Sequence, residues 1–211
     1  AVCMWYDKAI EDYGNISKKI NQKYCDKYGY DLIFSNKREL YDRHPAWERF
    51  ILLLKTLNSN KYDYVVWIDA DACFNFNSTN TIEDIINKNR KKHIIFSPDD
   101  PGWGSPICTG VLILKNTKYS RDFCKDIINS NKKECIKHYN IHSWEQACVV
   151  DFYKNNFKNI KKKCVIVPFK IIQTFPYFDK NHGNSLIIHY AGINKNDRVV
   201  ELNKILKSID N

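Results

Sequence analysis

Apolar and polar positions along the chain follow two alternating patterns. Compact apolar runs of strand length occur at 2–6, 30–35, 62–69, 93–97 and 109–116. Between these runs, apolar residues recur every three or four positions, which predicts helices over 8–29, 45–59, 81–89, 120–129 and 143–155. Towards the end of the chain, "CVIVP", "IIQTF" and "SLIIHY" predict short strands, and "VVELNKILKSI" predicts a closing helix.

The alternation of strands and helices determines the fold class that we expect. It favours an α/β fold with a mainly parallel central sheet and helices on both faces. The run 62–69 has few polar breaks, as expected for a strand covered on both sides. The short late strands predict a small mixed or antiparallel extension. Because no repeat, low-complexity tail or long linker interrupts the pattern, we expect one domain over 1–211.

Composition and charge indicate which kinds of molecule the chain can bind. The chain is 44% hydrophobic and 14% aromatic, enough for a substantial core, and no apolar stretch approaches the roughly 20 residues that cross a bilayer. Its net charge of +9 suits an anionic partner such as a nucleotide, a nucleic acid or a membrane surface. The lysine-rich runs "NKNRKK" and "KNIKKK" lack interleaved aromatic residues, so we do not expect nucleic acid as the partner.

The 8 cysteines are scattered along the chain and form no CxxC pair. Several lie inside apolar runs, where a free cysteine behaves as a small hydrophobic residue. We therefore expect reduced thiols, which are typical of a cytosolic compartment. The spacing also argues against a structural zinc site.

The segment "VVWIDADACF" carries the most informative chemistry. Asp69 and Asp71 follow an apolar strand, at the edge where open α/β sheets bind their ligands. Side chains at i and i+2 of an extended segment point the same way, so both carboxylates can share one divalent cation. Carboxylate oxygens suit Mg2+ or Mn2+, which usually complete their shell with phosphate oxygens. The alternative is a turn with two solvated aspartates.

Five segments resemble, in order, the blocks of a family of GT-A glycosyltransferases, the retaining galactosyl/xylosyltransferases of family 34. "WIDADACF" is similar to the family's DxD segment, and "HPAWERF" is similar to the block before it, with Arg49 in place of lysine. The other similar segments are "CTGVLILKNTKYSRDF", "WEQACVVDFY" and "IIHYAG". The sequence departs from the family at Trp144, where the family tends to have an aspartate.

The resemblance implies a Rossmann-like nucleotide-diphospho-sugar transferase fold and transfer of a sugar from a UDP-sugar donor to a glycan or glycoprotein. It implies that Asp71, Asp69 and His189 hold Mn2+ or Mg2+, and that the anomeric configuration is retained. The length and the starting point of the chain also resemble the first domain of chlorella-virus transferases that glycosylate capsid protein. A capsid protein would then be the acceptor, and the host cytoplasm the location.

Further residues receive donor-binding roles under this resemblance. The residues expected to contact the donor are Tyr6 at the nucleobase, Asp69 at the ribose unless it shares the metal, Arg49 at the phosphate or sugar, Thr109 and Gly110 at sugar hydroxyls, and Lys195 over the diphosphate. Each has a structural alternative: core packing for Tyr6, a surface ion pair for Arg49 and a β-turn glycine for Gly110. Lys195 departs from the family's spacing relative to His189.

Glu145 and Gln146 are the expected catalytic residues, because the resembling block faces the anomeric carbon. A carboxylate there can stabilise oxocarbenium charge or act as a nucleophile. The structural alternative is helix capping, with Ser143 as the cap and Glu145 in the first turn. Asp99 and Asp100 lie in a loop rich in proline and glycine and could bind the acceptor.

Other functions remain open at the level of sequence. A DxD phosphatase of the haloacid dehalogenase type normally carries its aspartates after the first strand, whereas here they follow the third predicted strand. A sugar nucleotidyltransferase would need a glycine-rich basic loop near the N-terminus, which "CMWYDKAIEDYG" lacks. A basic nucleic-acid-binding module and an inactive domain that only binds glycans are the alternatives from other classes.

Overall fold

The computed structural model describes residues 1–129, 133–178 and 182–210. Its β-strands are β1 (Val2–Trp5), β2 (Leu32–Ser35), β3 (Tyr64–Ile68), β4 (Ala72–Phe74), β5 (Ile94–Ser97), β6 (Cys108–Lys115), β7 (Cys164–Ile166), β8 (Gln173–Thr174) and β9 (Ile187–His189). Its α-helices are α1 (Glu11–Tyr28), α2 (Glu48–Asn58), α3 (Ile82–Lys88), α4 (Lys118–Ile128), α5 (Lys133–Ile136), α6 (Trp144–Lys154), α7 (Ile160–Lys163) and α8 (Lys195–Asp210). Within these ranges, no helix is both long enough and apolar enough to cross a membrane.

Most predicted elements are present with shifted ends. The segment predicted as one helix over 45–59 begins with a 3-10 turn, Pro45–Trp47, before α2. The closing helix begins at Lys195, upstream of the predicted segment, because polar residues form its first turn. β4 is an additional strand that the apolar pattern does not predict. Its three apolar residues directly follow the two aspartates, so they read as a continuation of the preceding strand.

The central sheet has the strand order β2-β1-β3-β6-β5-β7 in the part of the chain that the structure describes. β1 pairs in parallel with β2 and β3, and β5 pairs in parallel with β7. β6 runs antiparallel to both of its neighbours, β3 and β5. The predicted mainly parallel α/β sheet is therefore confirmed, with an antiparallel strand inside the sheet that the sequence pattern did not reveal.

The reversed direction of β6 determines which residues meet at the edge of the sheet. Because β6 runs against β3, its first residues lie beside the last residues of β3. Ile68 pairs with Val111, and the Asp69 N–H donates a hydrogen bond to the Gly110 carbonyl at 2.9 Å. Thr109 and Gly110 are thereby placed next to the acidic segment, although they lie far from it in sequence.

A second, smaller sheet has the order β4-β9-β8 within the described residues. β4 and β9 are antiparallel, and Ala72 pairs with His189. β8 pairs in parallel with β9. Since β4 follows Asp71 directly, this pairing places His189 beside the two aspartates.

Helices pack on both faces of the central sheet, as predicted. Alternate side chains of β3 enter different apolar clusters, because successive residues of a strand point to opposite faces. Val65 and Trp67 pack in the cluster that contains Phe50 and Leu53 of α2. Val66 and Ile68 pack in a second cluster, which α1 and α3 cover.

One disulfide corrects the prediction that all cysteines are reduced. The short helix α5 packs against α6, and this contact joins Cys135 to Cys148, both of them buried. Their separation of 13 residues resembles no redox motif, so spacing gave no signal of it. The other cysteines of the described chain are free and buried, in agreement with their expected role as small apolar core residues.

Asn21 of α1 connects the helix to the backbone of β4. Its amide nitrogen donates to the Ala72 carbonyl at 3.0 Å, and its amide oxygen accepts from the Phe74 N–H at 3.0 Å. Asn21 is fully buried, so these backbone groups have no access to water as a substitute partner. The side chain therefore fixes the strand that immediately follows the acidic segment.

We predict that Asn21→Leu lowers the free energy of unfolding by about 2–4 kcal/mol, because it leaves a buried carbonyl and a buried N–H without partners. Urea-induced unfolding measures the change. The control is Gln22→Leu at the next, exposed position of the same helix, which should change stability by about 0.5 kcal/mol or less. Equal losses in both variants would contradict the role of Asn21.

Candidate functional site

Asp69 and Asp71 lie in a tight turn between β3 and β4. The Ala72 N–H donates to the Asp69 carbonyl at 3.0 Å, which closes the turn. In the extended segment that the apolar pattern predicts, alternation would direct both side chains the same way. The chain turns instead, and both carboxylates nevertheless line the same cavity, whose volume is about 700 Å3.

His189 completes a group of three possible metal ligands. Ligand atoms of Asp69, Asp71 and His189 all lie within 4.8 Å of one another. The His189 Nε2 is 3.3 Å from the Asp71 Oδ1. Two carboxylates and an imidazole form a donor set that suits Mn2+ or Mg2+. The residues present therefore fit the expected divalent cation.

Gln173 determines which nitrogen of His189 faces the carboxylates. Its amide nitrogen donates to the Pro98 carbonyl at 3.1 Å, so its amide oxygen is the atom 2.9 Å from the His189 Nδ1. An amide oxygen only accepts, so Nδ1 carries a proton and donates it. Nε2 is therefore the nitrogen that faces the turn of Asp69 and Asp71, called the acidic turn below, and its lone pair becomes available to a metal once its proton leaves.

Two arginines balance the charge of the two aspartates. The Arg49 Nη2 is 3.1 Å from the Asp69 Oδ1, and the Arg198 Nη2 is 3.1 Å from the Asp71 Oδ2. Burial raises the pKa of Asp69 despite the attraction of Arg49. For Asp71, burial is outweighed by His189 and Arg198, which hold the pKa of its carboxyl at about 2.

The charge of His189 depends on the same contact. Burial acts to lower the pKa of the imidazole, but the Asp71 carboxylate raises this pKa well above its ordinary value. Both groups are therefore held in their charged forms by mutual attraction, with Arg198 adding a further positive charge. The acidic turn, at the end of a buried strand, is therefore surrounded by charged side chains of both signs.

Arg49 contacts several walls of the cavity that the two aspartates line, which is the larger of two cavities at this site. It is 7% exposed, and its guanidinium contacts Asp69, Glu145 and the Thr109 carbonyl. The Arg49 Nε is 3.1 Å from the Glu145 Oε1. The sequence offered a surface ion pair as the structural alternative, whereas the observed ion pairs are buried. Removing either partner of such a pair would leave a buried charge uncompensated.

Glu145 and Gln146 both face the larger cavity from the start of α6. Glu145 is 1% exposed, and burial raises its pKa to about 7. Its Oε1 accepts from the Thr109 hydroxyl at 2.9 Å, while its buried Oε2 has no hydrogen-bond partner in the described structure. Ser143 makes no side-chain capping bond, so the structural alternative, with Ser143 as the helix cap, is not observed.

Gln146 bridges two other walls of the cavity. Its amide oxygen accepts from the Thr109 N–H at 2.9 Å, and its amide nitrogen donates to the Asp99 Oδ2 at 2.8 Å. Asp99 is buried, and burial raises its pKa. The loop that carries Asp99 is thus fixed to α6, across the cavity from the acidic turn.

The structure does not bring Tyr6 and Lys195 to the cavity. Tyr6 is buried against Phe34, with ring centroids 4.6 Å apart, and its hydroxyl donates to the Asn15 Oδ1 at 2.8 Å. The Lys195 Nζ is 2.9 Å from the Asp12 Oδ2. From α8, Arg198 reaches the site instead of Lys195. It lies one turn further along the helix, a position that helical spacing from Lys195 could have indicated.

A second cavity of about 380 Å3 lies on the other side of the acidic turn. Its lining includes Trp5, Asp7, His44 and Trp144, none of which the sequence analysis assigned to a site. The Trp144 ring stacks on the His44 ring, with centroids 3.7 Å apart. The residues that line both cavities are Arg49, Asp69, Asp71, Trp144 and Arg198. The acidic turn therefore lies between two adjoining cavities.

Gly110 leaves the space that the His189 ring occupies. A Cβ added at Gly110 would lie 2.2 Å from the His189 Cε1, far closer than any van der Waals contact. A hydrogen is therefore the only side chain that fits while the imidazole keeps its place. This requirement explains the glycine better than the β-turn that the sequence analysis considered.

We predict that Gly110→Ala lowers the free energy of unfolding by about 1–3 kcal/mol, because the new methyl group overlaps the imidazole. In a His189→Ala background the same substitution should cost about 0.5–3 kcal/mol less, since the ring is gone. Urea unfolding of the two single variants and the double variant measures this coupling. Strictly additive effects would contradict the proposed overlap.

Comparison with known proteins identifies the fold. No protein-family model matches the chain, and no curated protein matches it by sequence. Among solved structures, it is similar to a glycosyltransferase involved in the glycosylation of the major capsid of PBCV-1, with a TM-score of 0.79 and 18% identity. That alignment covers 96% of this chain and 98% of the viral chain.

Two bacterial structures show the same architecture. The galactosyltransferase LgtC, in complex with donor and acceptor sugar analogues, aligns with a TM-score of 0.59 and 14% identity over 98% of this chain and 95% of LgtC. The glycosyltransferase GlyE of Streptococcus pneumoniae TIGR4 aligns with a TM-score of 0.58 and 14% identity over 99% of this chain and 63% of GlyE. The chain therefore has the GT-A fold of these glycosyltransferases.

Proposed function

We propose that this protein is a metal-dependent glycosyltransferase, formed by a single GT-A domain over 1–211. It would transfer a sugar from a UDP-sugar to a glycan or glycoprotein with retention of anomeric configuration. The observation that carries the proposal is the group of Asp69, Asp71 and His189 between two adjoining cavities at the edge of the sheet. In open α/β folds this edge is where ligands bind.

Asp69, Asp71 and His189 would hold Mn2+ or Mg2+, and the bound cation would supply positive charge to the departing diphosphate. The Gln173 contact fits this role, because it occupies Nδ1 and keeps Nε2 of His189 directed at the carboxylates. Gly110 supports it further by leaving room for the ring. Two separate features of the chain thus serve the placement of one imidazole.

Arg198, rather than Lys195, is our proposed side-chain cation for the diphosphate. Arg198 lines both cavities and lies beside Asp71, whereas Lys195 pairs with Asp12. A guanidinium presents several N–H donors in a plane that matches phosphate oxygens. The Arg198 Nη2 that pairs with Asp71 would be the N–H group turned to the diphosphate, since the Arg198 Nε already donates to the Tyr190 carbonyl.

The two cavities would divide the donor between them. We place the nucleoside in the smaller cavity, where Trp5, Tyr13 and Trp144 offer aromatic surface and Asp7 offers a carboxylate for hydroxyl groups. The transferred sugar would lie in the larger cavity, against Thr109, Glu145 and Gln146.

Transfer would form a bond between the acceptor oxygen and the anomeric carbon and break the bond from that carbon to the diphosphate. The electron pair of the broken bond leaves with UDP, and a donor phosphate oxygen takes the acceptor proton. Glu145 would stabilise the developing oxocarbenium charge, with Arg49 and Thr109 holding its carboxyl in place. Gln146 would orient the sugar from the neighbouring wall.

We predict that manganese and UDP together raise the melting temperature of the wild-type chain, since a ligand present at 100 times its Kd stabilises the folded state by about 2.7 kcal/mol. EDTA should abolish the rise. Asp71→Asn should also abolish it, because the cluster loses a charged ligand. Asp63→Asn, an exposed substitution away from the site, is the control.

Persistence of the full manganese-dependent rise in Asp71→Asn would contradict the metal site. Salt-sensitive binding of the chain to DNA, without any response to UDP, would instead favour the nucleic-acid-binding alternative. Binding of UDP without any sugar transfer would favour an inactive glycan-binding domain.

We predict that Glu145→Gln lowers kcat by at least about tenfold while the UDP-dependent melting shift persists, because the substitution removes charge near the anomeric carbon but little volume. UDP release in the presence of acceptor measures kcat. Glu11→Gln, an exposed change in α1, is the matched control. An unchanged kcat would exclude Glu145 as the stabilising carboxylate.

A further inference from the structure

An exposed aromatic surface adjoins the larger cavity, which Trp103 lines. We define this aromatic wall by Trp103, Phe169, Phe175, Tyr177 and Phe178, whose rings contact one another with centroid separations of 5.5–6.3 Å. Trp103 is 53% exposed, Tyr177 48% and Phe178 44%. Clustered exposed rings of this kind indicate a binding surface.

The wall is continuous with the proposed active site. Trp103 lines the larger cavity together with Asp99 and Gln146. The Phe175 ring is 6.0 Å from Trp103 and 5.5 Å from His189, so it joins the exposed indole to the proposed metal site. A ligand lying on Trp103 would therefore be within reach of a sugar held beside Gln146.

A buried carboxylate lies between the two segments that carry the exposed rings. The Asp100 Oδ1 accepts from the Gly102 N–H at 2.6 Å and holds the turn that carries Trp103. Burial and the neighbouring Asp100 carboxylate both raise the pKa of the Tyr177 phenol, so Tyr177 lies beside the same carboxylate. Asp100 is 3% exposed, so this carboxylate is shielded from water. The wall is thus a preformed surface.

The edge of the indole is held as well. A Cβ added at Gly192 would lie 2.9 Å from the Trp103 Cζ2, so the indole packs directly on the backbone of Gly192. Gly192 follows His189 closely in the chain and lines the same cavity. One edge of Trp103 is therefore fixed, and more than half of its surface stays available to a ligand.

The chemistry of this surface matches a pyranose. One side of a pyranose ring carries C–H groups and packs on an aromatic ring, whereas its hydroxyls need polar partners at the rim. Trp103 supplies the aromatic ring, and Asp99 supplies a carboxylate on the wall of the same cavity. Tyr41 offers a contrast: it is 79% exposed but lines neither cavity described above.

We propose that the aromatic wall is the acceptor subsite, where Trp103 packs on the pyranose ring of a glycan. This inference rests on the proposed function and names its acceptor class: the enzyme would extend an existing sugar rather than glycosylate a bare polypeptide side chain. The acceptor hydroxyl would then point into the cavity, towards the donor sugar beside Gln146.

The test uses the full chain with Mn2+, a UDP-hexose found to bind, and a panel of methyl pyranosides as acceptors. UDP release above the rate of hydrolysis by water measures transfer. For Trp103→Ala, the KM of the pyranoside should rise at least about tenfold more than the KM of the donor. Trp103→Phe keeps an aromatic face and should recover most of this loss. Tyr41→Ala is the control and should resemble the wild type.

Equal acceptor KM values in Trp103→Ala and wild type would overturn the inference. So would transfer to unglycosylated peptides combined with no transfer to any pyranoside in the panel. Failure of the wild-type chain to bind UDP with Mn2+ would overturn the proposed function, and the inference with it. That failure is distinguishable because the UDP-binding measurement contains no acceptor.

Discussion

The site depends on how two carboxylates are held at the end of a buried strand. Asp69 and Asp71 repel each other and lose hydration, so each needs a positive partner. Arg49 reaches one from α2, and Arg198 and His189 reach the other from α8 and β9. Elements from both ends of the chain therefore converge on one turn. The charged site is therefore complete only when α2, α8 and β9 are all packed around this turn.

Much of this arrangement could be predicted from the sequence, because its causes are local. The apolar run before Asp69 specifies a buried strand, and its end specifies the edge where ligands bind. The contribution of His189 is different, since it depends on the pairing of Ala72 with His189 across the second sheet. No periodicity reveals that pairing. The resemblance to a known family suggested the histidine, and the register of the strands explains its place.

Other features could not be predicted, for identifiable physical reasons. An aromatic residue at a strand end can face the core or a cavity, and Tyr6 faces the core because Gly14 leaves room for its ring. Lys195 and Arg198 lie on the same helix face, and only the packing of α8 determines which one reaches Asp71. The direction of β6 and the joining of Cys135 to Cys148 likewise depend on tertiary packing rather than on local pattern.

Asn21 has a consequence for the behaviour of the chain in concentrated solution. β4 is an edge strand of its sheet, and a free edge can pair with a strand of another molecule. The Ala72 carbonyl and the Phe74 N–H, which face away from β9, are occupied by the Asn21 amide. A helix side chain thus takes the place that an intruding strand would need, which protects the segment beside the acidic turn from intermolecular β-aggregation.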